Sequence, residues 1–190
     1  MSAAMTVRRA VPGDATAMAA VIVQSWRETY RGIMADAVLD DPELLPRRER
    51  FWEIALADER YRDNRAAVAI RDGEMIGVAM AGPPLDEDAW WPRQLYVLYV
   101  LEAFHGSGAA RPLLDAVIDP ALDAALWVAD ANPRAQAFYR KCGFRSDGTT
   151  TIDEGVLEIR MVRRATHAAG DREDRGPKFP RTDPGWPERS

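Results

Sequence analysis

The sequence predicts a mixed α/β domain in which a largely antiparallel central sheet carries helices on both faces. Three observations predict it. Apolar residues follow helical spacing over 15–30 but form strand-like runs at 66–70, 75–80 and 94–101. Asp72-Gly73 sits between two of those runs, and a D-G pair is the strongest short-range hairpin signal. The order is one strand, two helices and three strands, the last of which opens a βαβαββ run. At about 150 residues per domain, a chain of 190 residues is one domain plus a tail.

Each element has a local reason. Residues 6–9 read as a first strand, broken by Pro12-Gly13-Asp14, with Asp14 placed to cap the next helix. Met18, Val21, Ile22, Ser25, Trp26 and Thr29 give that helix one apolar face over 15–30, and Gly32 ends it. Pro46 opens a second helix with Phe51, Ile54 and Ala55 on its apolar face. Residues 82–91 hold two prolines and three acids and read as a loop. Residues 94–101, rich in tyrosine, valine and leucine, read as a buried strand. Small residues at 105–110 form a loop, and Ala110, Leu113, Leu114, Val117 and Ile118 form the helix after it, which Asp119-Pro120 stops.

Residues 126–129 are a short buried strand. Asn132-Pro133 caps a helix with Ala135, Phe138, Tyr139 and Cys142 on one face and Gly143 just past its end. Asp147-Gly148 and Asp153-Glu154-Gly155 read as turns around 149–152 and 156–162. The domain therefore spans 1–164. Residues 165–190, with proline, glycine and both charges, read as a flexible tail, or as an extension packed through Phe179 and Trp186.

Composition excludes several function classes. A net charge of -5 makes the chain a poor non-specific ligand for nucleic acid or an anionic membrane, so neither is expected as a partner. Cys142 is the sole cysteine, so no intrachain disulfide forms. His105 and His167 are the only histidines, too few for a Cys/His zinc site, and no metal is expected. Neither lies near a nucleophile elbow. Residues 1–10 lack an apolar h-region, and no run approaches a membrane span, so a cytoplasmic protein is expected.

The segment 98–114 carries the chemistry. A strand runs into His105, Gly106, Ser107, Gly108, Ala109 and Ala110, and a helix follows at once. Residues this small let a ligand approach the backbone. A helix start leaves N–H groups unpaired, with the positive end of the dipole behind them, an arrangement that binds phosphate oxygens. It is neither a Walker loop nor a dinucleotide fingerprint, since no G-K-[ST] follows and G-x-G-x-x-G is absent.

A second segment, Asn132-Pro-Arg-Ala-Gln-Ala-Phe-Tyr-Arg-Lys-Cys-Gly-Phe144, follows the next strand. Together the two resemble the GNAT superfamily of acyl-CoA N-acyltransferases. The first resembles its [QR]-x-x-G-x-[GA] acyl-CoA loop, with His105 where glutamine or arginine is usual and Ala110 at the last position. The second resembles its N-x-x-A-x-x-[FL]-Y-x-x-x-G-F signature, and the resemblance extends over roughly residues 5–163. It implies a GNAT-like fold and acetyl-CoA as co-substrate, with no metal. It implies pantetheine contacts along Leu98, Tyr99 and Val100, phosphate contacts at 105–110, and a binding role near Asn132. A backbone N–H near Leu98 would hold the oxyanion. Tyr139 matches the family tyrosine that gives a proton or hydrogen bond to the CoA sulfur, and a phenol with a reference pKa of about 10 suits that task. Read from spacing alone, Tyr139 is a core aromatic on the helix face.

The acceptor side is less determined. The resemblance places Gln94 where several members carry a glutamate base, and an amide takes no proton. Glu28, Asp86, Glu87 and Asp88 are the alternative proton acceptors, or simply solvated acids. Trp26, Tyr30, Trp90 and Trp91 are the candidate acceptor-pocket residues. Trp26 also suits the core, and Trp90 or Trp91 a homodimer contact. Three functions fit: acetyl transfer to a small-molecule amine, acetyl transfer to a protein amine, or non-catalytic sensing of acyl-CoA.

Overall fold

The computed structural model describes residues 4–165. Seven strands form one sheet, β1 (Thr6–Arg9), β2 (Arg65–Arg71), β3 (Glu74–Gly82), β4 (Arg93–Val100), β5 (Ala124–Ala129), β6 (Arg145–Asp153) and β7 (Val156–Arg163). The spatial order is β1-β2-β3-β4-β5-β7-β6. Every neighbouring pair is antiparallel except β4 and β5, which are parallel. The helices are α1 (Ala15–Tyr30), the one-turn α2 (Asp36–Leu39), α3 (Leu44–Ala57), α4 (Ala110–Val117) and α5 (Pro133–Lys141). The expected mixed sheet with helices on both faces is what forms.

Each face of the sheet has its own core. Met18, Ile22, Trp26, Leu44 and Trp52 of α1 and α3 pack on Val68, Val78, Met80 and Val97. On the other face Leu113, Leu114 and Val117 of α4, with Tyr139 and Phe144, pack on Ile76, Ala79, Leu126 and Met161. Strands buried on both faces lose the alternation of polar and apolar residues, which is why β3 and β5 read as continuous apolar runs.

Local chemistry sets the turns. Asp72 (φ 55°) and Gly73 (φ 81°) make the β2–β3 hairpin, and Glu154 (φ 47°) and Gly155 (φ 80°) make the β6–β7 hairpin. Two successive positive φ values are the type I′ geometry that matches strand twist.

Three local expectations are corrected, and one element had none. Asp14 stands at the N-cap of α1 but makes no capping bond. Its carboxylate instead takes two bonds from Arg8, at 2.7 and 2.8 Å, and one from the Val11 N–H. Helix α3 starts two residues before Pro46, and its buried face is set by Trp52 and Ala55 while Ile54 points outward. The segment Asp147-Gly148 is not a turn between strands. It is an irregularity inside β6, where the register with β7 shifts between Ser146 and Thr150. The short helix α2 had no sequence signal, because one turn of helix is too short to show a period. The expected tail at 165–190, with Phe179 and Trp186, lies outside the described residues apart from Ala165. No helix among the described residues is long and apolar enough to cross a membrane.

Candidate active site

The site is built where β4 leaves β5. Their parallel pairing covers only Arg93↔Ala124, Gln94↔Ala125 and Leu95↔Leu126. On its other side β4 stays paired with β3, but the register slips by one residue between Val97 and Leu95, leaving Tyr96 as the extra residue of a bulge. A bulge bends its strand and increases local twist. Here it falls where the pairing with β5 stops, so β4 turns away and the sheet opens beyond Leu95. The β4 residues Leu98, Tyr99 and Val100 are correspondingly half-buried, where Gln94, Leu95 and Val97 before them are buried.

One wall of the opening is the loop at 105–109. Gly106 (φ 77°) and Gly108 (φ 87°) hold left-handed conformations that only glycine takes without strain, although a Cβ at either would meet nothing. The N–H groups of Gly106, Gly108, Ala109, Ala110 and Arg111 donate to nothing among the described residues. Ser107 Oγ is buried there without a partner. Orphan donors at a helix start, with a hydroxyl among them, are the donor set that a phosphate ester needs. The residues present fit the pyrophosphate of acyl-CoA on that ground.

His105 is tied in at both ring nitrogens. Nε2 lies 2.8 Å from the Val100 carbonyl oxygen. Nδ1 receives the guanidinium of Arg134, which stands on the first turn of α5. A guanidinium only donates. So Nδ1 accepts, and Nε2 carries the proton that it gives to Val100. The imidazole thus links the end of β4 to α5 across the loop. Asn132 caps α5, its side-chain oxygen accepting from the Ala135 N–H at 3.0 Å, with Pro133 in the first helical position.

Tyr139 extends from α5 into the core on the α4 side, its ring packed edge-on against Phe138 and Phe144. Burial pushes its phenol well above the usual value, and the nearby phenol of Tyr99 adds to the rise. It is therefore a proton donor throughout the physiological range. Tyr30 is raised as well, first by Tyr99 and then by burial, with smaller contributions from Glu158 and Tyr139.

The other wall is a cavity of about 130 Å³ between α1, α3, β4 and the β6–β7 hairpin. Trp26 and Tyr30 line it with Phe51, Tyr61, Tyr96, Tyr99 and Trp127. Trp26 and Tyr30 meet edge to face at 6.3 Å, and the Arg48 guanidinium lies 4.4 Å over the Trp26 ring. Polar groups reach the cavity from Asn64, Gln94, Asp153, Glu154 and Glu158. Burial lowers the pKa of Arg48, opposed by Glu154, Tyr99 and Asp153.

The structure therefore brings Trp26, Tyr30 and Tyr99 together at this cavity but takes Trp90 and Trp91 elsewhere. Trp91 is fully buried under the Arg160 guanidinium, 5.0 Å from its ring centroid. Trp90 packs edge-on against Trp91 and beneath Arg164 at 3.9 Å. The reason is a charge latch. Arg160 of β7 holds Asp88 through two bonds of 2.7 Å and Asp147 through a third, which pulls the β3–β4 loop onto the sheet. The four proposed proton acceptors also fall outside the residues lining the cavity. Asp88 is held by Arg160, Asp86 accepts from Trp127 Nε1, Glu28 accepts from the Glu102 N–H, and Glu87 lies on the same latched loop. Gln94 is buried, and its side-chain oxygen accepts from the Leu85 N–H at 2.9 Å. Sequence reasoning missed Glu158, Asp153, Glu154 and Arg48. One signal was available: Glu158 is an acid inside the apolar run 156–162.

Comparison with known proteins agrees with this geometry. The profile of the acetyltransferase (GNAT) family matches residues 23–144. An uncharacterized N-acetyltransferase of Mycobacterium bovis is 38% identical over 105 residues, which span 52% of this chain and 65% of that protein. The chain thus spans a little under two thirds of the length of that relative. A probable N-acetyltransferase of Mycobacterium tuberculosis is 29% identical over 154 residues, covering 76% of this chain and 82% of the relative. Among solved structures, the PaiA N-acetyltransferase of Thermoplasma acidophilum in complex with coenzyme A superposes with a TM-score of 0.64. It covers 83% of this chain and 98% of its own at 17% identity, a likeness of fold.

Proposed function

The chain belongs to the GNAT acetyltransferase family, and on that premise we propose that it moves an acetyl group from acetyl-CoA to a primary amine of a small molecule, by direct attack in a ternary complex. The observation that carries the reading is the opening between β4 and β5. Unpaired N–H groups at 106–111 line one side of it, and an aromatic cavity with acids lies on the other. A neighbour of the same fold, from Thermoplasma acidophilum, was solved in complex with coenzyme A, which supports a coenzyme A ester as the co-substrate.

Each group then has a role. The loop and the α4 start hold the pyrophosphate, with Arg134 beside them as an added positive charge. The exposed edge of β4 at Leu98, Tyr99 and Val100 pairs with the amides of pantetheine. The amine nitrogen attacks the acetyl carbonyl carbon and forms the C–N bond. A β4 N–H near Leu98 holds the oxyanion that results. The C–S bond then breaks, Tyr139 gives its proton to the departing sulfur, and the proton that the nitrogen sheds as the amide forms refills the phenolate through solvent. Trp26 and Tyr30 hold the body of the acceptor. A walled cavity, rather than an open groove, favours a small molecule over a protein chain.

The test follows CoA thiol release from acetyl-CoA with polyamines, amino acids, aminoglycosides, arylalkylamines and basic peptides. Release with one amine class is expected. In the Tyr139→Phe protein turnover should drop by about 100-fold while acetyl-CoA affinity stays within about twofold, because the ring and its packing remain. No release with any amine, from protein that binds acetyl-CoA, would favour an acyl-CoA sensor instead. Release with the basic peptides alone would move the acceptor to proteins.

A further inference from the structure

We propose that Glu158 takes the proton from the acceptor amine, an assignment that rests on the acetyl transfer proposed above. The reaction needs such a group. An alkylamine of pKa about 10.4 is neutral in only about one part in 2,500 at pH 7. Gln94 cannot serve, because its amide has no basic atom and its oxygen is committed to the Leu85 N–H. Among the described residues, the carboxylates that line the cavity are Asp153, Glu154 and Glu158.

Position separates these three. Asp153 and Glu154 sit at the β6–β7 turn, and their charges act on Arg48 at the α3 side of the cavity. Glu158 lies inside β7, paired across to Ala129 of β5 and Thr151 of β6. Its charge acts on Tyr30 and Tyr99. Tyr99 in turn acts on Tyr139, the group proposed to protonate sulfur. Of the three, Glu158 shares the cavity lining with Tyr30 of α1 and Tyr99 of β4 and is the one whose charge acts on both, which sets it at the reacting end. The titratable groups around it are Tyr30 of α1 and Tyr99 of β4, Tyr139 of α5 through Tyr99, Arg48 of α3 with Asp153 and Glu154 of the hairpin on the lining of the same cavity, and Asp130 past β5, whose N–H donates to the neighbouring Leu157 carbonyl. Three of these seven are phenols, which stay neutral at a pH where an ordinary carboxylate is ionised. Taking the ammonium proton, directly or through one water, leaves a neutral amine whose lone pair forms the C–N bond. The proton then leaves to solvent.

The experiment compares wild type, Glu158→Gln and Glu158→Asp at saturating acetyl-CoA, using the amine of the panel that supports wild-type turnover, from pH 6 to 10. Glutamine keeps the shape of glutamate and removes its basicity. At pH 7 the Gln protein should lose at least about 100-fold in kcat/KM for the amine. The gap should shrink by about tenfold per pH unit towards the amine pKa, as solvent supplies the free base. The KM for acetyl-CoA should not change, and Glu158→Asp should recover part of the rate with the wild-type pH profile. A Gln protein within about threefold of wild type, or one slower by the same factor at every pH, overturns the assignment and leaves the acetyl transfer standing. A wild type that binds acetyl-CoA but acetylates no amine removes both.

Discussion

The two walls of the opening are built by opposite means. The wall proposed for the cofactor comes from two nearly unbroken stretches, 98–111 and 132–139, and offers mostly backbone groups. Its donors are peptide N–H groups, its shape depends on two positive φ values, and its helix is fixed by one asparagine cap. The acceptor wall comes from residues between Trp26 and Glu158 on α1, α3, β4, β5 and the β6–β7 hairpin, and works through side chains. A backbone site needs only the right local conformation, so it tolerates His105 and Ala110 in place of commoner residues. A side-chain site changes with each substitution, which is how one fold serves many acceptors.

The comparison can be broken most sharply at the cofactor wall. Gly108→Val puts a β-branched residue at φ 87°. The strain of at least 1–2 kcal/mol should distort the loop and weaken acetyl-CoA binding by about 10- to 30-fold, measured by calorimetry, with little effect on the acceptor's relative preference. Trp26→Phe tests the other wall. It narrows an aromatic that meets Tyr30 and carries Arg48. The acceptor KM should rise by about fivefold, as for a lost contact of roughly 1 kcal/mol, with the KM for acetyl-CoA unmoved. If both constants shift in either variant, the walls are coupled and the division fails.

Two smaller effects sharpen it. Asn132→Ala removes the α5 cap and should cost about 1 kcal/mol of stability, read as a lower midpoint in urea. The last effect concerns pH. Arg160 holds Asp88 below the usual carboxylate range. Burial pushes Asp147 up, but bonds from the Thr149 N–H and from Arg160 outweigh it and leave that carboxyl lowered too. Groups with a depressed folded pKa stabilise fully above their unfolded value, and this stability is lost as pH falls through the folded one. Asp147→Asn should therefore melt about 3 °C below wild type at pH 7, for roughly 1 kcal/mol. The two should converge near pH 3. A gap that persists in acid would mean that Asp147 contributes shape rather than charge.

Legibility followed the same division. The D-G hairpin, the apolar face of α1, the Asn132-Pro133 cap and the loop at 105–110 were all readable, because each is decided by residues within one or two turns of each other. The misreadings came from partners distant in sequence. Asp14 could have capped α1, but Arg8 of β1 takes its carboxylate. Asp147-Gly148 has turn chemistry, yet pairing with β7 and the bond to Arg160 keep it inside a strand. Trp90 and Trp91 sit beside three acids in sequence, and one of those acids, Asp88, is held by Arg160, which draws the end of the loop that carries the tryptophans away from the cavity while Leu85 stays on its lining. Glu158 went unremarked as one of two charges in the otherwise apolar run 156–162. Nothing local places it opposite Tyr99.

By itself the sequence determined the element order, the sheet with helices on both faces, and a loop of free N–H groups ahead of a helix. These follow from period, turn chemistry and backbone conformation, all short-range. Only the tertiary structure decided that a one-residue bulge at Tyr96 opens β4 from β5, that Arg160 latches the loop, and which carboxylates reach the cavity. Those outcomes depend on which strands become neighbours and on where long side chains find opposite charge, contacts between residues far apart in the chain, such as Asp88 and Arg160, 72 positions apart.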